Sequence, residues 1–141
     1  MKTPIITLWQ PWASWIIIGW KTIETRTHPR LVSLAGKEIG IHAGQTFDNE
    51  AMELAKNYLT ADQWIEMADM LNDLPRSAIL GTVFVKEHRL LHDADSAAAL
   101  INCHTTKRFG LVLSMPRQFT TPIKASGHQG IWMFDINNSP N

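Results

Sequence analysis

Apolar positions along the chain sort it into short strands and a few helices. Residues 5 to 9 make an apolar run of strand length. Pro11 follows at a place suited to a helix start, because its missing N–H would have had no partner there. Trp12, Trp15, Ile16 and Gly19 then come at helical spacing, with Gly19 as the stop. From residue 20 to 26 the pattern turns polar and β-branched until Pro29 breaks it, and residues 38 to 43 read as a second strand in which Ile39 and Ile41 alternate with Gly40 and His42. Residues 48 to 73 are the most helical stretch. Thr60 and Gln63 fit a capping box, and Trp64, Met67, Ala68 and Leu71 form an apolar stripe expected to pack on the domain's outside through Met67 and Leu71. A shorter helix before it carries Met52, Ala55 and Leu59. Beyond Pro75 the chain is β-rich at 78–91, 109–115 and 131–136, with one or two helical turns at 97–101, and residues 137–141 are expected to fray. Helices of unequal length without regular βαβ alternation predict an α+β fold rather than a parallel sheet.

Composition narrows this picture. A chain of 141 residues, 45% hydrophobic and 18% charged, has room for one core and is not disordered. Thirteen basic against 13 acidic side chains exclude a protein that coats nucleic acid through bulk positive charge, and leave a local basic cleft open. The single Cys103 forms no internal disulfide, which suggests a reducing compartment. Gln10, Pro11 and Ser14 interrupt the N-terminal apolar stretch and Lys21 follows at once, so no signal peptide or membrane span is expected; the chain reads as cytoplasmic. Six tryptophans against one tyrosine are the outlier.

Candidate chemistry concentrates between residues 9 and 42. Lys21, Glu24 and Arg26 place two cations and one carboxylate within six positions. In a straight strand Lys21 would face away from Glu24 and Arg26, so the three share a cleft only if the chain bends near Thr22. A structural ion pair between Glu24 and either cation is the other reading of this spacing. Gln10, beside the proline-started helix, projects its amide from a strand–helix junction, and His42 faces opposite to Ile41, where it can donate a hydrogen bond or move a proton. Trp15 is expected inside and one of Trp9 or Trp12 on the cleft wall, with Trp12 counted among the ligand-binding residues; Lys21 is expected as an exposed side chain. Trp132 is expected to pack the last strand on the first. Neither His88 and His92 nor Cys103 and His104 make a metal motif, and no glycine-rich phosphate loop or nucleophile elbow is present, so no metal or cofactor is expected.

Four segments in order carry a resemblance: Gln10-Pro11-Trp12-Ala13, then Gly19-Trp20-Lys21-Thr22-Ile23-Glu24-Thr25-Arg26, then Ile41-His42-Ala43, and finally Gly127-His128-Gln129-Gly130-Ile131-Trp132. Together they resemble the ASCH family of the PUA-like superfamily, across roughly residues 5 to 134. The resemblance implies a single domain over residues 1–141, a small β-barrel with flanking helices, a helical insertion at about 47–76, and a cleft beside Lys21-x-x-Glu24-x-Arg26. It also implies RNA or nucleotide as the partner, with Gln10, Trp12, Lys21, Glu24, Arg26 and His42 around it; oligomeric state is left open. Some small family members hydrolyse an acetylated cytidine with a lysine, a threonine three residues on and a distant glutamate. Lys21 matches that lysine, but Glu24 stands where the threonine would be, and Glu87 is the nearest guess for the distant acid. A binding module is therefore the favoured function, with an acylated-nucleoside hydrolase using Lys21 and Glu24, or a metal-independent ribonuclease using His42 and Lys21, as the alternatives.

Overall fold

Ten regular elements cover residues 1–138, which a computed structural model describes. They are β1 (Thr3–Gln10), α1 (Trp12–Ile17), β2 (Ile23–Arg26), β3 (Glu38–Phe47), α2 (Ala51–Ala55), α3 (Ala61–Met70), β4 (Ala78–Leu90), α4 (Ser96–Ala99), β5 (Phe109–Lys124) and β6 (Trp132–Phe134). Short 3-10 turns fill several connections, and one at Ile136–Asn138 closes the described chain. Of the tail expected to fray, residues 139–141 lie outside the described residues.

The strands make one sheet in the order β2-β5-β4-β3-β1-β6. Only β1 and β3 run parallel, and the other neighbours are antiparallel. This is the α+β fold expected. No pairing joins β2 to β6 among the described residues, so the expected barrel is not closed. The sheet nevertheless curls. β1 and β2 stand four places apart in the order, yet both line the same two cavities. A flat sheet would hold them roughly 19 Å apart.

Side-chain alternation divides the core. Ile6 and Leu8 of β1 join Ile39, Ile41, Val83 and Leu111 in the main cluster, onto which α1 packs Ala13, Ile16 and Ile17. Ile5, on the opposite face, joins Ile79, Phe119, Ile123 and Ile136. β5 runs well beyond the expected 109–115, through Pro116 and Pro122. Register irregularities against β4 and a left-handed Met115 (φ +50) let it continue, since a proline is tolerated where a bulge interrupts the ladder.

The helical segment departs from its expected stripe. Thr60 and Gln63 do form the capping box, with Thr60 Oγ1 accepting from the Gln63 amide at 3.1 Å and Gln63 Oε1 from the Thr60 amide at 2.9 Å. Of the stripe, only Met67 is buried; Trp64, Ala68 and Leu71 are exposed. Met67 Sδ accepts a hydrogen bond from Trp15 Nε1 at 3.2 Å, and Ala51, Ala55 and Leu100 complete that cluster. Met70 and Leu74 pack against the same cluster partly buried, so α3 docks through Met67 and Met70 rather than through the expected stripe.

Candidate functional site

The bend required near Thr22 exists, and backbone hydrogen bonds hold it. α1 stops before Gly19, whose φ of +90° suits a residue without Cβ. The Lys21 amide then donates to Trp15 O at 2.9 Å and the Thr22 amide to Ala98 O at 2.9 Å, so β2 begins only at Ile23. Lys21 is thereby turned onto the side that Glu24 and Arg26 share.

Lys21 is not the exposed side chain expected from sequence: it is 2% exposed. Its Nζ donates to Ala99 O, lies 4.0 Å from Glu24 Oε1, and sits 4.9 Å from the centre of the Trp12 ring. Burial pulls its pKa down to about 8, with the Glu24 carboxylate opposing part of that shift. Glu24 is 5% exposed, and Arg26 Nε approaches its Oε2 at 3.3 Å. That Arg26 Nε is buried without a hydrogen-bond partner, so the contact is one of charge rather than of aligned donor and acceptor. Trp12 packs edge-on to Trp15 and donates from Nε1 to Asp48 Oδ2 at 2.8 Å.

Trp12, Lys21, Glu24 and Arg26 line one cavity of about 300 Å³ with Thr7, Trp9, Asp48 and Ile101. Two cations face two carboxylates there, so its formal charge balances. The wall that supplies Ala99 and Ile101 belongs to the β4–β5 connection, pinned by Arg89, which pairs with both oxygens of Asp95 at 2.8 Å each. Hydrogen bonds from Arg89 and the His92 amide hold the Asp95 carboxyl below the usual carboxylate range.

A second, larger cavity of about 950 Å³ shares Thr7, Trp9 and Arg26 with the first. His42 lies here, not beside Lys21. Thr7 pairs with His42 across β1 and β3, which sets both side chains on one face. His42 Nε2 faces Ala125 O at 2.6 Å and so carries the proton, leaving Nδ1 to accept from Thr7 Oγ1 at 3.2 Å; Thr7 Oγ1 in turn accepts from Trp132 Nε1 at 3.0 Å. Burial lowers the His42 pKa, the Ala125 hydrogen bond raises it, and His128 lowers it. A Cβ on Gly127 would come within 2.8 Å of His42 Cε1, so only glycine lets the return loop press on the ring. Trp132 packs β6 on β1, as expected.

Gln10 also lies outside the cluster, a correction to its expected place in the cleft. It is fully buried: its amide nitrogen donates to Ser14 Oγ and Pro75 O, each at 2.8 Å, and its oxygen accepts from the Ser14 amide at 3.0 Å. The free amides at the start of α1 are nearer than any cleft and claim the side chain. Glu87 pairs with Arg89 and lines neither cavity. Trp9 and Trp12 both reach the cleft wall where one of them is expected, and Asp48, His28, Arg30 and His128 stand at the cavities with no such expectation attached to them. His28 and Arg30 follow β2 directly, so continuing the charge reading past Arg26 would have found them; Asp48 carries no local signal. Among the described residues no three His, Cys, Asp or Glu side chains are close enough to share a metal ion, and no helix is long and apolar enough to cross a membrane.

An α+β domain whose curled mixed sheet brings β1 and β2 together around paired cavities is an ASCH-like fold. The crystal structure of ASCH from Zymomonas mobilis superposes with a TM-score of 0.62, covering 96% of this chain and 89% of that one at 14% identity. Crystal structures of a serine-to-alanine and a tyrosine-to-phenylalanine variant of ZmASCH from Zymomonas mobilis, each 16% identical, both give TM-scores of 0.53, covering 86% and 88% of this chain and 73% and 76% of theirs. At such identities the likeness is one of fold. No protein-family model matches the chain.

Proposed function

We propose that this protein binds a nucleobase, of RNA or of a nucleotide, in the 300 Å³ cavity beside Lys21, Glu24 and Arg26. The observation that carries the reading is a charge-balanced cavity with an aromatic wall. A nucleobase is uncharged, flat and edged with donors and acceptors. Lys21 suits a base carbonyl, Glu24 suits an exocyclic amine, and Trp9, which is 56% exposed, offers an indole face for stacking worth about 1–3 kcal/mol. The cavity's size sits at the lower end of the small-ligand range of ~300–1,000 Å³. Titration of tryptophan fluorescence with the four ribonucleoside monophosphates at low salt tests it. Lys21→Met and Glu24→Gln should each weaken binding about tenfold or more, the loss of one hydrogen bond to a charged group. Wild-type affinity in both variants would overturn the reading.

A second reading, hydrolysis of an acylated nucleoside, is favoured by the Lys21 pKa of about 8. A lysine with a sizeable neutral fraction near neutral pH can take a proton from water as that water adds to an acyl carbon, the C–N bond then breaking to leave a carboxylate and an amine. Incubation with N4-acetylcytidine, followed by chromatography, decides it: unchanged substrate after prolonged exposure rejects hydrolysis and leaves binding standing.

A further inference from the structure

We infer that the larger cavity is a track for the phosphodiester backbone of a single-stranded ligand whose base occupies the smaller one. The inference rests on the base-binding reading just given. Its own evidence is charge segregation. In a chain with 13 acidic and 13 basic side chains, the 950 Å³ cavity is lined by Arg26, Arg30, His28, His42 and His128 and by no aspartate or glutamate. The neighbouring 300 Å³ cavity, by contrast, sets Glu24 and Asp48 against its two cations. One cavity therefore suits an uncharged base and the other an anion.

Interactions around the cations agree. The Arg30 guanidinium makes no ion pair or side-chain hydrogen bond among the described residues. The His28 pKa is lowered by desolvation first, then by Arg30 and Arg26, so both guanidiniums act on the His28 ring while only Arg26 has a carboxylate, Glu24, beside it. Like charges so placed repel, and a phosphate among them would relieve the repulsion. Arg26 lies at the boundary and lines both cavities, with its Nε buried and unbonded. Trp9 stands at the same boundary, positioned for a base to stack as its phosphate turns into the larger cavity. A mononucleotide would leave most of that space unused. A duplex would keep its bases paired and out of the small cavity, whereas a single strand frees them.

Fluorescence anisotropy with homopentanucleotides, compared with the monophosphate of the same base, tests the track. The pentanucleotide should bind roughly tenfold tighter or better, from added phosphate contacts. Arg30→Gln should remove most of that gain and leave monophosphate affinity within about twofold, since Arg30 lines the larger cavity and not the one that holds the base. Lys21→Met should weaken both ligands alike. The track is refuted if length brings no gain, if Arg30→Gln binds the pentanucleotide as wild type does, or if hexaglutamate competes as well as the pentanucleotide. Monophosphate binding without a length gain overturns the track alone; failure of both ligands to bind overturns the base-binding reading with it.

Discussion

Lys21 keeps a charge on a side chain that is only 2% exposed, and the consequence can be followed with pH. Its folded pKa is about 8, against an ordinary value of 10.5. Below about pH 8 it is protonated in both folded and unfolded chains, and the full penalty of burying the ammonium is present. Between about 8 and 10.5 the unfolded chain holds a proton there that the folded chain has released, so stability rises with pH across that window. Lys21→Met removes the linkage while keeping the volume. Melting temperatures of wild type should therefore climb relative to Lys21→Met as pH goes from 7 to 10. The Cys103 thiol, whose pKa burial raises from its ordinary 9.0, works in the opposite sense in both proteins. The Lys21 charge holds that rise back, so losing it in Lys21→Met strengthens the opposing effect in the variant and leaves the sign of the difference unchanged. Parallel melting curves across that range would contradict the buried charge. Sequence reading reached Lys21, Glu24 and Arg26 because their spacing poses a geometric question that a single bend answers. Gln10 is instead claimed by Ser14, four positions on, together with the remote Pro75 O, and His42 is held by Ala125 O, 83 positions away, beyond what spacing can show.

Elements were legible where local chemistry decides them and less so where docking does. The Thr60 cap is a four-residue affair and was readable as such. The α3 stripe was not, because helical periodicity says which residues share a face but not how much of that face finds a partner. Met67 sits under the helix against Trp15, while Leu71 is 37% exposed at its end. Met67→Ala should cost about 2–4 kcal/mol, from the lost side chain and from a Trp15 Nε1 left without its acceptor. Leu71→Ala should cost under about 1 kcal/mol. Unfolding midpoints in urea compare the two directly, and equal losses would mean that α3 packs through the whole stripe after all. β5 was cut short in the same way: Pro116 reads as a strand end, whereas a bulge carries the strand past it.

At the scale of the molecule, curl is what the sequence does not spell out. Each strand's alternation gives a face, but bringing β1 beside β2 across four intervals of sheet order is a property of the whole. The same curl gathers positive charge on one side of a chain whose formal net charge is zero, and this gives the proposed track a bounded salt dependence. At pH 8 the His28 imidazole, held below its ordinary 6.5, is neutral, which leaves Arg26 and Arg30 as the permanent cations of the larger cavity. Single-stranded ligands lose affinity with a log–log slope of about −0.7 per phosphate neutralised, so two contacts give about −1.4. Arg30→Gln should bring the slope to about −0.7, while Lys21→Met, acting on the base, should lower affinity at every salt concentration and leave the slope unchanged. A wild-type pentanucleotide slope of about −3 or steeper would place phosphates on cations elsewhere, such as Arg117 or Lys124 on β5, and would remove the cavity as their principal path.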